Sequence, residues 1–156
     1  MIHAPSAAQA DSLEPAGLLR RLAALVYDAL LLAALLFVFT FALIAVRGGR
    51  AIPPGTAWYE ASLLVVVAIF FCGFWTHGGQ TAGMRAWQIR LVSAAGGPVA
   101  LRAALVRFGA AFLAALPLGL GFLASLWDPE RRCWHDRWSK TRVVRRRRVI
   151  APARAP

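Results

Sequence analysis

Charge is scarce in this chain, and acid is scarcer still. Charged residues are 16% of the 156, against about 25% in a soluble globular domain. Only seven residues are Asp or Glu, so paired carboxylates for acid–base chemistry have few places to come from. No phosphate-cradling loop appears, and Ser62, Ser93 and Ser125 have no neighbouring His or acid. Enzymatic activity is therefore not expected. The two cysteines, Cys72 and Cys133, lie in segments of different character, and no disulfide framework is expected. Cys133 and His135 are near neighbours, yet no second Cys/His pair completes a zinc site, so neither a metal nor a cofactor is expected. The first residues lack a basic stretch ahead of an apolar core. Residues 1–15 read as a disordered lead, not a cleaved signal.

What is present is apolar length. Hydrophobic residues are 59% of the chain. The 25 residues from Leu22 to Val46 carry one charge, Asp28, and about 20 residues suffice to cross a bilayer. Two further uncharged runs follow, Ala61 to Thr76 and Phe108 to Trp127. The expected fold is an all-α integral membrane domain. It has two spanning helices and a third re-entrant or Pro-kinked helical segment, with a small cytoplasmic β-hairpin or sheet.

The first helix is expected from about Ala16 to Val46, stopped by Arg47-Gly48-Gly49-Arg50, with a turn at Pro53-Pro54-Gly55. Trp58 and Tyr59 suit a membrane interface at the start of the second helix, which runs to about Trp75. After it, Trp87 to Val92 alternates in part and is rich in strand formers. Ala95-Gly96-Gly97-Pro98 signals a turn, and Val99 to Leu101 is expected to return as the second strand of a hairpin. The β-branched residues after Lys140 point to a further strand, Arg142–Arg145, joining that hairpin into a sheet. In the third apolar run, Pro117, Gly119 and Gly121 interrupt any continuous helix.

The net charge is +11, and ten of the 18 basic residues fall between Arg131 and Arg154. Basic segments favour the cytoplasmic side. A re-entrant third segment keeps the N-terminus, the 78–107 connection and the C-terminus all inside, so it is preferred over a third kinked span. Arg145, Arg146, Arg147 and Arg148 would then meet anionic lipid headgroups of the bilayer. No nucleic-acid-binding motif accompanies the basic tail, and nucleic acid is not an expected partner.

Asp28 is the most telling residue. A carboxylate inside a spanning helix costs roughly 2.5–3.5 kcal/mol on insertion scales. Arg21 lies on the same helix face, two turns less about 20° away. Three readings stay open for Asp28. It pairs with an arginine at the end of an apolar run, meaning Arg21, Arg102 or Arg107. It binds a proton or cation along a transport path. Or it faces a hydrated cavity without further role. Asp136 reads as an N-cap or turn residue ordering the C-terminal segment, or as the partner of Arg85 or Arg90 in a cytoplasmic polar cluster. Gln80, Thr81 and Gly83 form a polar loop that either stops a helix or offers backbone N–H groups to an anion.

Three segments together resemble the RDD family: Arg21 with Asp28; Gly79-Gln80-Thr81-Ala82-Gly83-Met84-Arg85; and Trp134-His135-Asp136-Arg137-Trp138-Ser139-Lys140-Thr141-Arg142-Val143-Val144. The family is named for one arginine and two aspartates, which here would be Arg21, Asp28 and Asp136. Lys140 departs from the pattern, in which a small residue such as Gly or Ala is common. The resemblance implies a bacterial inner-membrane protein, with a membrane domain over residues 16–144 and a basic disordered tail over 145–156. It implies no chemistry. The residues suggest a transporter of a small ion or solute, built on a cluster of Arg21, Asp28, Arg102, Arg107 and Asp136. Because so few helices cannot enclose a wide path, a homo-oligomer is expected. The alternative is a non-transporting scaffold or assembly factor in which the same cluster is structural.

Overall fold

A computed structural model describes residues 13–115 and 133–146. Two long helices dominate it, α1 (Leu18–Val46) and α2 (Ala57–Thr76). Both are long and apolar enough to cross a membrane. At 1.5 Å per residue the 20 residues of α2 rise about 30 Å, the thickness of a bilayer's hydrocarbon core. None of the most apolar 18-residue window of α1 is buried in the protein. Leu30, Phe37 and Phe41 are each more than two-thirds exposed. A helix that is apolar all round, with its side chains unburied by protein, has the character of a lipid-facing span. Gly48 and Gly49 end α1 at φ of +69° and +80°, where only glycine turns the chain at no steric cost. Thr40 and Tyr59 share a hydrogen bond of 2.8 Å between the two helices near this connection.

The other end of the helix pair carries the rest of the structure. Strand β1 (Leu13–Pro15) precedes α1. After α2 come the one-turn helix α3 (Ala82–Ala86), strand β2 (Ile89–Ser93) and helix α4 (Leu101–Ala115). A second short helix, α5 (Trp134–Trp138), leads into strand β3 (Thr141–Arg146). The strands form one antiparallel sheet in the order β1-β3-β2, with Leu91 opposite Val143 and Pro15 opposite Val144. Ile89, Leu91 and Val143 are buried and join Ala24, Trp75 and Ala104 in the core.

Two expectations are corrected here. Val99 to Leu101 forms no returning strand. A turn closes at Ser93, whose N–H bonds Gly97; Val99 drops into the core, and α4 starts at Leu101. The expected pairing of β2 with the later strand is present, and β3 is a six-residue strand rich in β-branched side chains. The N-terminal lead is also ordered earlier than expected, since Leu13–Pro15 pairs with β3. The Pro117–Gly121 break lies outside the described residues, as do Arg147 and Arg148.

Candidate functional site

Asp28 sits nearly three helical turns inside α1 and is 3% exposed. Among the described residues it meets no arginine, which corrects the reading that pairs it with Arg21, Arg102 or Arg107. The Thr81 hydroxyl donates to Oδ2, and the Gly83 N–H donates to Oδ1 at 2.8 Å. Thr81 is also the N-cap of α3, where its hydroxyl oxygen accepts from the Met84 N–H. Glycine is required at position 83. A Cβ there would stand 2.2 Å from the Ala24 carbonyl oxygen and 3.0 Å from the Asp28 carboxyl carbon. The loop after α2 thus offers a backbone N–H, and its acceptor is the side chain of Asp28.

Asp136 lies on α5 and is 1% exposed. Arg21 donates to its Oδ2 at 2.6 Å, and Arg107 donates to Oδ1. Arg85 and Arg90, the expected partners, are exposed on the surface. The ordering role at the helix start is present in a shifted form. Cys133 is the N-cap of α5, and Asp136, three residues on, takes the Cys133 N–H at 3.0 Å, completing a capping box. Arg21 also donates to the Ala16 carbonyl at 3.1 Å, fixing the link between β1 and α1. Arg107 reaches Thr141 Oγ1 at 2.8 Å, and Thr141 shares a 2.7 Å hydrogen bond with Ser139. One carboxylate therefore joins α1, α4, α5 and the start of β3.

The charges around Asp136 oppose one another. Burial raises its carboxyl pKa, but the Arg107 and Arg21 guanidiniums outweigh this and hold it well below the usual carboxylate range. His135, 5% exposed, is pushed down to about 3 by burial and by Arg107, against the pull of Asp136. It is neutral at physiological pH. Cys133, His135 and Asp136 bring potential metal-ligating atoms within 4.8 Å of one another. A cation there would meet two guanidiniums already in contact with the carboxylate, so the electrostatics oppose metal binding.

A cavity of about 290 Å³ opens beside these residues. Arg21, Asp28, Thr81, Arg107 and His135 line its polar side, and its remaining walls are largely apolar. Arg107 is 6% exposed, stacks over the Trp75 ring at 5.2 Å, and leaves its buried Nε–H without an acceptor among the described residues. Arg102 stands apart, exposed on α4. Of the sequence-derived cluster, Arg21, Arg107 and Asp136 are in direct contact, Asp28 shares only the cavity wall, and Arg102 shares neither. Sequence reasoning treated Thr81 and Gly83 as a loop and missed them as partners of Asp28. It also missed the convergence of Cys133, His135 and Trp75. Lys140, the departure noted above, adopts φ +50° at the turn before β3, a conformation that glycine takes freely.

The family model described as the RDD family matches residues 15–140. No curated protein and no solved structure matches the chain.

Proposed function

We propose that this chain, which belongs to the RDD family, a family of membrane proteins, is a multi-pass protein of the bacterial inner membrane whose buried Arg/Asp cluster is a structural clamp. In this reading it is a scaffold or assembly factor and not a carrier. The observation that carries it is the occupancy of both carboxylates. All four oxygens of Asp28 and Asp136 accept from fixed donors on other segments of the chain. A carboxylate that carries cargo must exchange partners each cycle. These two would have to break the packing of α3 or α5 to do so. No enzymatic chemistry is assigned to the cluster, where Cys133 is 1% exposed.

The N-terminus, the 78–107 connection and the C-terminus are proposed to face the cytoplasm, as their basic content favours. Pairing of β1, β2 and β3 in one sheet supports a common side for all three. Transport of a small ion or solute by a homo-oligomer is the second reading, and the cavity walled by Arg21, Asp28 and Arg107 favours it.

Asp28→Asn separates the two. An amide keeps one acceptor and places NH₂ against a donor, which costs about 1–3 kcal/mol for an unsatisfied buried group. The clamp reading expects a lowered melting temperature in detergent, and ion flux from wild-type proteoliposomes at the level of empty vesicles. Wild-type flux that disappears in a well-folded Asp28→Asn variant would select transport.

A further inference from the structure

The geometry points to a ligand for the cavity: a single-chain anionic amphiphile, with its carboxylate or phosphate head on Arg107 and its hydrocarbon chain along α2 and α4. Four observations support it.

The first is charge. Arg21 and Arg107 share one carboxylate, Asp136, and their neighbour His135 is neutral at physiological pH. Among the described residues this corner of the cavity carries one net positive charge, in a place where a buried charge needs a counter-ion. Asp28 shares the wall, but its oxygens are committed to Thr81 and Gly83, and it lies roughly 10 Å along the helix axis from Arg21.

The second is an unmet donor. Arg107 is more than nine-tenths buried, lines the cavity, and holds an Nε–H with no acceptor among the described residues. An anionic oxygen is the acceptor that a guanidinium binds most strongly. The third is shape. The cavity is near the lower end of ligand-pocket volumes, about 300–1,000 Å³, and Phe71, Phe108 and Phe112 give it the walls of a chain-binding slot. The fourth is access. Leu22, Leu25 and Phe112 on its lining are 41–50% exposed, so the cavity opens between apolar side chains. A ligand that partitions into lipid reaches it without crossing water.

This proposal rests on membrane placement and is independent of the choice between clamp and carrier. The test is native mass spectrometry of the full chain in a non-ionic detergent. Dodecanoate and dodecyl phosphate are added as probes, with dodecanol as the uncharged isostere and inorganic phosphate as the chainless anion. A one-to-one adduct with the two anionic amphiphiles is expected, at least tenfold tighter than with dodecanol. Inorganic phosphate should neither bind nor displace it. Ala111 lines the slot on α4, and Ala111→Trp, which fills it, should weaken the adduct at least tenfold in a protein that still folds. Arg107→Gln should abolish the preference for anion over alcohol if it folds. Absence of a wild-type adduct, as when the chain's own residues fill the slot, overturns the proposal. Equal binding of dodecanol, equal binding of inorganic phosphate, or an unaffected folded Ala111→Trp would overturn it as well. Carbonate extraction of cell membranes keeps the failures distinct. Release of the protein into the aqueous fraction rejects membrane placement. A membrane-retained protein without an adduct rejects only the ligand.

Discussion

At the scale of single residues, Asp136 has the most to hold, because it balances two guanidiniums that come from different helices. Its neighbour His135 makes the cluster sensitive to acid. The folded-state pKa of His135 is about 3, against 6.5 for the ordinary group. Between those values the unfolded chain binds a proton that the folded chain refuses, so stability falls as pH drops, by about 1.4 kcal/mol per pH unit. Asp136 acts in the same direction at lower pH. Its depressed pKa gives stability that is complete above its ordinary pKa of 3.8 and is lost as pH falls through the folded value. The melting temperature in detergent should therefore be flat above pH 7 and fall between pH 6.5 and 4, with His135→Gln removing most of that slope. An equal slope in the variant would remove His135 from the account. Much at this scale was legible in the sequence, since an isolated acid in an apolar run identifies itself. Its partners were not. Spacing within α1 puts Arg21 and Asp28 on one face, but the contacts are decided by which loop lands beside each. Neutral donors at Thr81 and Gly83 reach Asp28 because α3 lacks a side chain where it crosses Ala24.

At the scale of elements, that crossing makes a sharp prediction. Gly83→Ala should drive α3 away from α1 and break the bond to Asp28, destabilising the protein by about 1–3 kcal/mol as overpacking does. Gly73→Ala is the control. Gly73 is inside α2 with nothing within 4 Å of its added Cβ, so the change should be neutral or stabilising, by up to about 1 kcal/mol. Thermal melts of the two variants side by side check the contrast, and a Gly83→Ala protein as stable as wild type would show that α3 is not tightly seated. The long helices were legible because apolar length is a property of the sequence alone. Strands β2 and β3 and their pairing were legible from their β-branched content, though the hairpin strand expected at Val99 to Leu101 does not form. Strand β1 was not legible at all. Three residues ending in proline carry no period, and their order comes from the edge that β3 offers.

At the scale of the molecule, the sheet unites segments that precede α1, follow α2 and end the described chain. In the proposed topology α1 and α2 cross as a hairpin, which puts Arg50 and Arg85 on opposite sides of the bilayer. Both are exposed, while the native Cys72 and Cys133 are buried. In intact cells an impermeant thiol reagent should label Arg50→Cys at once and Arg85→Cys only after permeabilisation. The reverse pattern would invert the proposed orientation, and labelling of both would rule out the hairpin. The order of the sheet also sets a timetable. Among the described residues, strands β1 and β2 are not paired with each other, and the strand that each pairs with is β3. A chain made from its N-terminus delivers its two apolar helices, Arg21 and Arg107 long before it delivers Asp136 and β3. Throughout synthesis, both arginines and both outer strands wait unpaired. The segment that closes the sheet leaves the ribosome after both long helices and α4, so a nascent chain cut short between α4 and α5 has its apolar helices and lacks the strand that joins β1 to β2.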